Sequence, residues 1–596
     1  MRRDDERPLR PTWLRVAAAA VVAVVMSIVA WLPMIENGPK TPEGDGRYFL
    51  RAIETGKVAV RRYHELPLWN PFDCGGAPLW DNPEGIASSP ILLLATPLSG
   101  LVTLWIWNLF HIAAGWVSMW FFARVEIKAS RVAAFAAASL WAFGVCHASQ
   151  YAGAHSALIS FMWVPLALLL WRRAEHHVEA AIGLGLLVAL MFFDGATYPI
   201  PHTALLLLFD TMTRLLPLRQ RVPKILKAAV VVGLVALTIG GPKIFPLIDQ
   251  FTSKQRAIEI DVDHLARLNS LKGMYLLREH MWYFRLPDQQ YVWGEYAAYI
   301  GPIVLVLVLA GYVMALAEET WLAFLGLVVF VLMLGHFAEL APWSLLKKSV
   351  FPFKSMRVPA RFRLVLHGFL AAYVALAIDR IPARVRKALG PRPAAHATRA
   401  ILIGAALVGV GDVMSNAADI VDVRFRQPPP QRVEVSPNLY YEGPGLAADI
   451  DQPRQNRGRI ACADAWVFNH GAVWGGDVPQ VKIEKIEGQP DAGVIVASRR
   501  TPSTFTFKVK LDRKARVLAN TNFERGWRAS AGDVLNDGGL VAVELPPGEH
   551  DVRLEYWPKG LTAGFAASGA ATLGLVLFLI RRRRARRVLD THVAAS

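Results

Sequence analysis

The chain has 596 residues, of which 54% are hydrophobic, and its formal net charge is +17. A mean hydropathy of +0.31 and repeated apolar runs of bilayer length exclude an ordinary soluble enzyme and predict a polytopic membrane protein. Much of the basic excess lies in short loops beside apolar runs, which is typical of cytoplasmic loops, so the charge does not indicate a nucleic-acid partner.

The first apolar run follows the charged cap MRRDDERPLR and is bounded by Trp13 and Trp31. Its length of about twenty residues and its lack of a small-x-small cleavage site favour an uncleaved anchor over a signal peptide. Because the basic cap is expected in the cytoplasm, the loop after the anchor is expected outside it.

Further apolar segments bring the prediction to about twelve transmembrane helices. An even number of spans returns the C-terminal RRRRARR to the basic side of the membrane, so both termini are predicted to be cytoplasmic. The further segments lie near 102–124, 132–151, 156–171, 178–194, 200–215, 227–248, 297–316, 320–338, 363–380, 400–416 and 562–580.

The polar loop 35–90, here called the first loop, holds the densest polar chemistry beside the bilayer. In it Asp45 precedes RYFLRAIETG, whose apolar and charged residues fall on opposite faces of an amphipathic interfacial helix predicted to end at Gly56. Asp45 is either a helix N-cap or a carboxylate that deprotonates a hydroxyl or holds a divalent cation such as Mg²⁺ or Mn²⁺. The remaining carboxylates considered, each first interpreted as a turn residue, are Asp73, Asp81 and Glu84.

A second outward loop, residues 339–362, breaks the charge rule and is here called the basic loop. One interpretation is a miscounted span, or cations that meet lipid headgroups. The other, which we favour, is an anion site, because arginines bind phosphate through paired hydrogen bonds. The cations of this loop are Lys347, Lys348, Lys354, Arg357 and Arg361.

The outward segment 249–296 is polar with an aromatic rim, which predicts helices on the membrane face. Glu295 stands at the mouth of the next span, as an interfacial charge or as a residue of a cleft.

The pattern changes over 420–560, where TFTFKVKL alternates apolar and polar residues. Two alternating runs around the Pro-Pro-Gly of LVAVELPPGEHDVRLEYWP predict a hairpin. We therefore expect an extracytoplasmic all-β domain between a multi-span domain (1–419) and a last transmembrane helix with a basic tail (561–596). Three cysteines are too few for a disulfide framework, although a bridge between Cys74 and Cys462 stays open.

Four stretches resemble the bacterial YfhO-like family of integral membrane proteins: ELPLWNPFDCGGAPLWDNP, GEYAAYIGPIVLVL, FPFKSMRVPARFR, and NTNFERGWRASAGD followed by VELPPGEHDVRLEYWP. That family resembles the GT-C class of glycosyltransferases, which take sugar from a polyprenyl-phosphate donor at the outer membrane face. The resemblance implies a GT-C-like fold in the bacterial cytoplasmic membrane.

The resemblance also implies residue roles, with the catalytic role on Asp45 and donor-phosphate contacts on Arg357 and Arg361. This chain departs from the family where Arg47 and Arg51 stand in place of a polar residue, often Gln, after the aspartate. The other candidates for substrate or phosphate binding are Lys354, Arg47, His155 and Glu295.

The predicted function is transfer of a sugar from a polyprenyl-phosphate-linked donor to an envelope glycan, lipid or polymer acceptor. A carboxylate that faces arginines supplies a base for the acceptor and stabilises the leaving phosphate. The expected partners are membrane lipids, the donor and the acceptor. The alternatives are a transporter or flippase of lipid-linked sugars and a non-catalytic assembly protein for envelope polysaccharide.

Overall fold

The protein is mainly helical and carries a β-structured part near its C-terminal end. The computed structural model describes residues 13–32, 36, 45–152, 155–215, 218–253, 265–286, 289–389, 392–425, 435–442, 452–462, 470–485, 488 and 490–595. The helices are α1 (Trp13–Ala30), α2 (Asp45–Tyr63), α3 (Pro90–Leu94), α4 (Gly100–Val125), α5 (Arg131–Phe143), α6 (Val145–Ala152), α7 (Val164–Ala174), α8 (Val178–Phe193), α9 (Pro199–Arg214), α10 (Leu218–Ile239), α11 (Gly241–Ser253), α12 (Leu268–Leu276), α13 (Gly301–Glu318), α14 (Thr320–Met333), α15 (Pro342–Ser349), α16 (Arg363–Leu389), α17 (Arg392–Arg424) and α18 (Leu561–Ala595).

Every predicted span lies on one or more of these helices. Within the described residues, eight helical stretches are long and apolar enough to cross a membrane, and shorter apolar helices occur at Val16–Ala30, Val178–Phe193 and Thr320–Met333. The eight are Gly100–Val125, Arg131–Ala152, Ala157–Ala174, Arg221–Ile239, Gly301–Glu318, Pro359–Ala388, Ala394–Arg424 and Leu561–Arg582.

The predicted span 227–248 is divided, since α10 ends at Ile239 and α11 begins at Gly241. Here the chain packs tightly on the last helix, α18. A Cβ atom on Gly241 would lie only 2.9 Å from the carbonyl oxygen of Gly564. Glycine permits this close approach of two backbones. The division separates an apolar helix from α11, which lies beside the first loop.

Helix α16 lies at the centre of the helical part. Nearly every side chain between Arg363 and Ile378 is buried, and α16 packs against α5, α13, α14 and α17. A helix that is apolar all round and enclosed by other helices holds the surrounding spans together. Short 3₁₀ turns at Trp293–Glu295 and Pro359–Phe362 lead toward α13 and α16 and place polar side chains at one end of this bundle.

The strands near the C-terminal end form two four-stranded antiparallel sheets with orders β10-β11-β8-β5 and β6-β7-β12-β9. We call β3–β12 the β-domain. The strands are β1 (Trp69–Asn70), β2 (Ala77–Pro78), β3 (Tyr440–Glu442), β4 (Arg457–Arg459), β5 (Val481–Ile483), β6 (Gly493–Arg500), β7 (Thr504–Leu511), β8 (Ala515–Asn522), β9 (Trp527–Ala529), β10 (Asp533–Asp537), β11 (Leu540–Leu545) and β12 (Gly548–Tyr556).

The predicted hairpin of β11 and β12 is wrong. Strand β11 pairs with β8 and β10, whereas β12 pairs with β7 and β9. The Pro-Pro-Gly turn instead carries the chain from one sheet to the other. Val541 and Val543 of β11 and Val552 and Leu554 of β12 are buried in the same core, so the alternating runs bury their apolar faces against each other's sheet.

The predicted end of the first-loop helix at Gly56 is also wrong, because α2 continues to Tyr63. A Cβ at Gly56 would meet Pro67 and Ala87 at ordinary contact distance, and the residue sits inside a regular helix. The charged face does not lie in the interface either, since Arg51 is 2% and Glu54 is 3% exposed. Segment 249–296 holds the last residues of α11, the short helix α12 and the 3₁₀ turn Trp293–Glu295. Residues 254–264 and 287–288 lie outside the described part.

The first loop and the β-domain are joined covalently and by hydrogen bonds. A disulfide links Cys74 to Cys462, so the bridge left open by the sequence is confirmed. Asn522 donates from Nδ2 to the carbonyl oxygens of Cys74 at 2.6 Å and Gly76 at 2.9 Å. The ring of Trp69 packs among those of Trp527 and Tyr556. The β-domain therefore holds the first loop in place.

Candidate functional site

Two of the predicted site residues form a buried ion pair. Arg361, on the turn Pro359–Phe362, donates from Nε and Nη2 to the two carboxylate oxygens of Glu295 at 3.0 and 2.5 Å. Glu295 ends the turn Trp293–Glu295 ahead of α13. Paired hydrogen bonds of this kind fix the orientation of both groups. The ion pair therefore ties the basic loop to the mouth of a neighbouring helix.

His155 lies beside this pair. Its Nδ1 is 3.9 Å from Oε1 of Glu295 and 2.8 Å from Oε1 of Gln150. Gln150 in turn donates from Nε2 to the carbonyl oxygen of Gly294 at 2.8 Å. Three predicted candidates from distant parts of the chain, His155, Glu295 and Arg361, thus meet in one cluster.

The electrostatics of the cluster keep Glu295 ionised. Burial by itself raises the pKa of this carboxyl, but the charge of Arg361 and its hydrogen bonds, together with His155, outweigh burial and lower the pKa to about 2. A carboxylate with so low a pKa is a poor proton acceptor at neutral pH. The carboxylate of Glu295 therefore stays charged and fixes the orientation of the Arg361 guanidinium.

Two tyrosines contact the basic loop around Arg357. The Arg361 guanidinium lies over the Tyr198 ring, 4.3 Å from its centroid. The Tyr198 hydroxyl accepts from the backbone N–H of Arg357 at 3.2 Å, and the Tyr291 hydroxyl donates to the Arg357 carbonyl at 3.3 Å. The side chains of Arg357 and Lys354 are exposed. These two cations are accessible to a ligand.

A cavity of about 420 Å³ lies where the first loop and the basic loop meet. Pro83 and Glu84 line it from the first loop, and Phe351 and Met356 line it from the basic loop. The rest of the wall comes from the end of α8, the turn after it, α9 and α11. Most of the lining is aliphatic or aromatic, with Glu84 as its carboxylate. The two loops, far apart in sequence, are therefore two walls of one cleft.

Asp45 begins α2, but its side chain lies outside the described residues, so its catalytic role stays a prediction. Arg47, in the same helical turn, is half-buried. The next residue, Tyr48, accepts at its hydroxyl from Nδ2 of Asn82 at 3.2 Å. This contact places the first turn of α2 beside the segment that carries Glu84 into the cavity.

Asp73 and Asp81 join the first loop to the β-domain. Asp73 accepts from Arg51 at 2.7 Å and from Arg459 at 2.6 Å, and all three groups are buried or partly buried. Asp81 accepts from the Tyr556 hydroxyl at 2.8 Å, and burial raises its pKa. Both carboxylates are engaged in the interface with the β-domain, whereas Glu84 lines the cavity.

Sequence reasoning missed Tyr198 and Gln150. Tyr198 precedes Pro199 at the start of α9, and nothing in TYPIP indicates a contact with a loop more than a hundred residues later. Gln150 lies five positions before His155, and its amide was a local signal for a polar cluster inside an otherwise apolar helix.

Within the ranges described, no three His, Cys, Asp or Glu residues lie close enough together to hold a metal ion. The side chain of Asp45 lies outside the described residues, so the Mg²⁺ or Mn²⁺ expected there stays a prediction.

Comparison with known proteins gives matches at the level of structure. No protein-family model matches the chain, and no curated protein matches it. The chain is similar to the mycobacterial arabinofuranosyltransferase AftD, with 17% identity and a TM-score of 0.42 over 70% of this chain and 27% of that one. It is similar to an Archaeoglobus fulgidus oligosaccharyltransferase tethered to an acceptor peptide, with 13% identity and a TM-score of 0.44 over 76% and 64%.

A third similar structure is ArnT from Cupriavidus metallidurans bound to undecaprenyl phosphate, with 11% identity and a TM-score of 0.39 over 77% of this chain and 87% of that one. The chain spans about a quarter of AftD and 64% of the oligosaccharyltransferase. The YfhO-like resemblance stays a prediction from motifs.

Proposed function

We propose that the protein is a GT-C-type membrane glycosyltransferase that moves a sugar from a polyprenyl-phosphate-linked donor to an envelope glycan, lipid or polymer acceptor. One observation carries the proposal: the first loop and the basic loop line one apolar cavity, with the exposed cations Lys354 and Arg357 on the basic loop. Transfer of an isoprenoid chain from water to such a lining is favourable because apolar surface is removed from water. The cations stabilise its phosphate through charge-assisted hydrogen bonds.

The donor phosphate would bind to Arg357, with Lys354 as a second cation. Arg361 is engaged by Glu295, so that pair contributes little net charge and instead fixes the loop on which Arg357 stands. The backbone contacts of Tyr198 and Tyr291 on either side of Arg357 restrict it further. A loop backbone fixed in this way keeps Arg357 within reach of the leaving phosphate as charge develops on it.

Asp45 would act as the base. Its carboxylate takes the proton of the acceptor hydroxyl, the acceptor oxygen forms a bond to the anomeric carbon, and the bond from that carbon to the phosphate oxygen breaks. The electron pair leaves with the polyprenyl phosphate, whose charge Arg357 stabilises. One base and no covalent intermediate give inversion at the sugar carbon. The contact of Tyr48 with Asn82 supports a position for Asp45 near the cavity.

The disulfide supports an extracytoplasmic first loop and β-domain. Disulfides persist in oxidising compartments and are rare in the cytosol. Since Cys74 is in the first loop and Cys462 is in the β-domain, this one bridge supports an extracytoplasmic position for both parts. The proposed location is the bacterial cytoplasmic membrane with both termini in the cytoplasm.

The test is Asp45→Asn in membranes from cells that lack the native protein. Transfer of labelled sugar from the lipid-linked fraction to the acceptor should fall by about 10²–10⁴-fold, as expected for loss of a general base. Glu549→Gln, on the exposed face of the β-domain, is the matched control and should leave transfer unchanged. The donor and acceptor are identified first, from the lipid-linked or polymer intermediate that accumulates in the deletion strain.

Undiminished transfer by Asp45→Asn would overturn the assignment of the base. If the deletion strain instead accumulates the lipid-linked sugar in the cytoplasmic leaflet while transfer persists in open membranes, the protein is a transporter or flippase.

A further inference from the structure

A second cavity, of about 560 Å³, lies near the C-terminal half of α2, away from Asp45. Its wall includes four cationic side chains and one carboxylate, which come from α2 and from the segment ahead of β4. These residues are Lys57, Arg61, Arg62, Arg454 and Glu54.

Helix α2 is attached at this point to the start of a candidate membrane span. Lys57 donates from Nζ to the carbonyl oxygens of Ala95 at 3.0 Å, Thr96 at 3.2 Å and Leu98 at 2.6 Å. Glu54, one turn earlier on the same face, accepts at Oε1 from the backbone N–H of Gly100 at 2.8 Å. Gly100 is the first residue of α4, so the cavity lies where α4 begins its candidate span.

Most of the positive charge at the cavity has no carboxylate partner. Arg454 pairs with Glu54, which cancels one cation. Arg62 donates to Oδ1 of Asn456 and to the Arg454 carbonyl, each at 2.8 Å, and both acceptors are neutral. Lys57 also has neutral acceptors. Arg61 is exposed, and its guanidinium makes no hydrogen bond or ion pair with the described residues. The cavity therefore attracts an anion.

The surface beside the cavity is apolar. Leu94 is 84% exposed and Leu98 is 40% exposed, immediately ahead of α4, and Val435 on the cavity wall is 48% exposed. Exposed leucines next to a span are favourable in hydrocarbon rather than in water. Arginines beside them reach the headgroup level while their aliphatic stems stay in the apolar zone. A soluble anion would use the cations but not this apolar surface.

We propose that this cavity binds an anionic phospholipid of the leaflet on which the first loop lies. Arg61 and Arg62 hold the phosphodiester through charge-assisted hydrogen bonds, and Leu94 and Leu98 contact an acyl chain. The lipid would support the junction of α2 and α4. This site is separate from the cleft of the proposed glycosyl transfer, and its occupancy is measured without any transfer reaction.

The test uses the full-length protein in nanodiscs of phosphatidylcholine with a small fraction of phosphatidylglycerol. Lipid retained on the protein is counted by native mass spectrometry. Arg61→Gln should lower phosphatidylglycerol retention about fivefold. The double variant Arg61→Gln/Arg62→Gln should lower it about a further fivefold. Arg61→Lys, which keeps the charge, should retain most of the lipid.

Arg285→Gln is the matched control, because Arg285 is an exposed arginine beside the exposed aromatic residues Tyr283 and Phe284. It should leave retention unchanged. Unfolding temperatures measured in pure phosphatidylcholine show whether each variant folds. Equal retention by the wild type and the folded Arg61→Gln/Arg62→Gln protein would overturn the proposal. Displacement of the lipid by millimolar inorganic phosphate would also overturn it, because a soluble anion site would then be present.

Discussion

Arg361 binds the carboxylate of Glu295, sixty-six positions earlier in the chain, through two hydrogen bonds, and each residue is only 7% exposed. The contact joins the basic loop to the segment ahead of α13. Since two charges are removed from water together, each depends on the other. The pair thus fixes the loop that carries Arg357 beside the apolar cavity.

Glu295→Gln should destabilise the protein by about 3–5 kcal/mol, because it leaves the Arg361 guanidinium buried without a counter-charge. The apparent unfolding temperature in detergent measures the effect. A Glu295→Leu/Arg361→Met double variant removes both charges and should recover most of the loss. If the single variant unfolds at the wild-type temperature, the pair does not hold the loop.

Arg357→Ala should raise the apparent KM for the lipid-linked donor by about tenfold or more, since a charge-assisted hydrogen bond to phosphate contributes about 1.5–3 kcal/mol. Initial rates at varied donor concentration measure this effect. Lys348→Ala is the control from the same loop, because Lys348 pairs with Glu339 at the surface. An unchanged KM in Arg357→Ala would favour the interpretation in which the basic loop contacts lipid headgroups.

Ala204→Phe should obstruct the apolar cavity, because Ala204 lines it and is exposed on α9. We expect a higher apparent KM for a long polyprenyl donor and a smaller change for a short isoprenoid analogue, which fills less of the cavity. Leu208→Phe, one turn later on α9 and 51% exposed, is the control. Equal effects on long and short donors would show that the isoprenoid does not occupy this cavity.

Reduction of the disulfide between Cys74 and Cys462 should loosen the first loop from the β-domain. The two cysteines are 388 positions apart, and loss of a native bridge costs about 2–5 kcal/mol in smaller domains. The apparent unfolding temperature should fall with reductant in the wild type and stay constant in Cys74→Ser/Cys462→Ser. Thiol labelling of the unfolded chain, where the buried Cys146 is also reached, should rise from one cysteine to three after reduction.

Retention of anionic lipid should fall as pH rises through about 8. Burial lowers the pKa of Lys57 from 10.5 to about 8, while Glu54 opposes the shift and Arg61 and Arg454 add to it. The positive charge of the Lys57 ammonium at the cavity is therefore lost near pH 8. Lys57→Met should retain less lipid and show no step near this pH. A step of the same size in Lys57→Met would assign the titration to another group.

The contribution of Lys57 to folding stability changes with pH in the opposite direction to lipid retention. The folded-state pKa of Lys57 lies below its ordinary value, so folding favours the neutral amine. Its contribution to stability is complete above about pH 10.5 and is lost as pH falls through about 8. Lipid binding and this contribution to stability therefore change in opposite directions over the same range.

The sequence by itself determined the helical segments and marked out the first loop and the basic loop between them. Hydropathy is a local property, so each apolar run could be read without knowledge of its neighbours. The alternation in TFTFKVKL likewise predicted β7. Asp45, Arg357 and Arg361 were singled out by local charge and by motif, and the structure places the loops that carry them against one cavity.

Only the tertiary structure decided which of these elements meet. The contact between Arg361 and Glu295 depends on how α13 and α16 pack. The sequence around a carboxylate does not indicate which distant cation it will pair with. The β11 and β12 runs looked like a hairpin because local alternation does not specify which sheet a strand joins. Helix α2 passes Gly56 because the first loop and the β-domain bury it, and burial by distant segments outweighs a local stop signal.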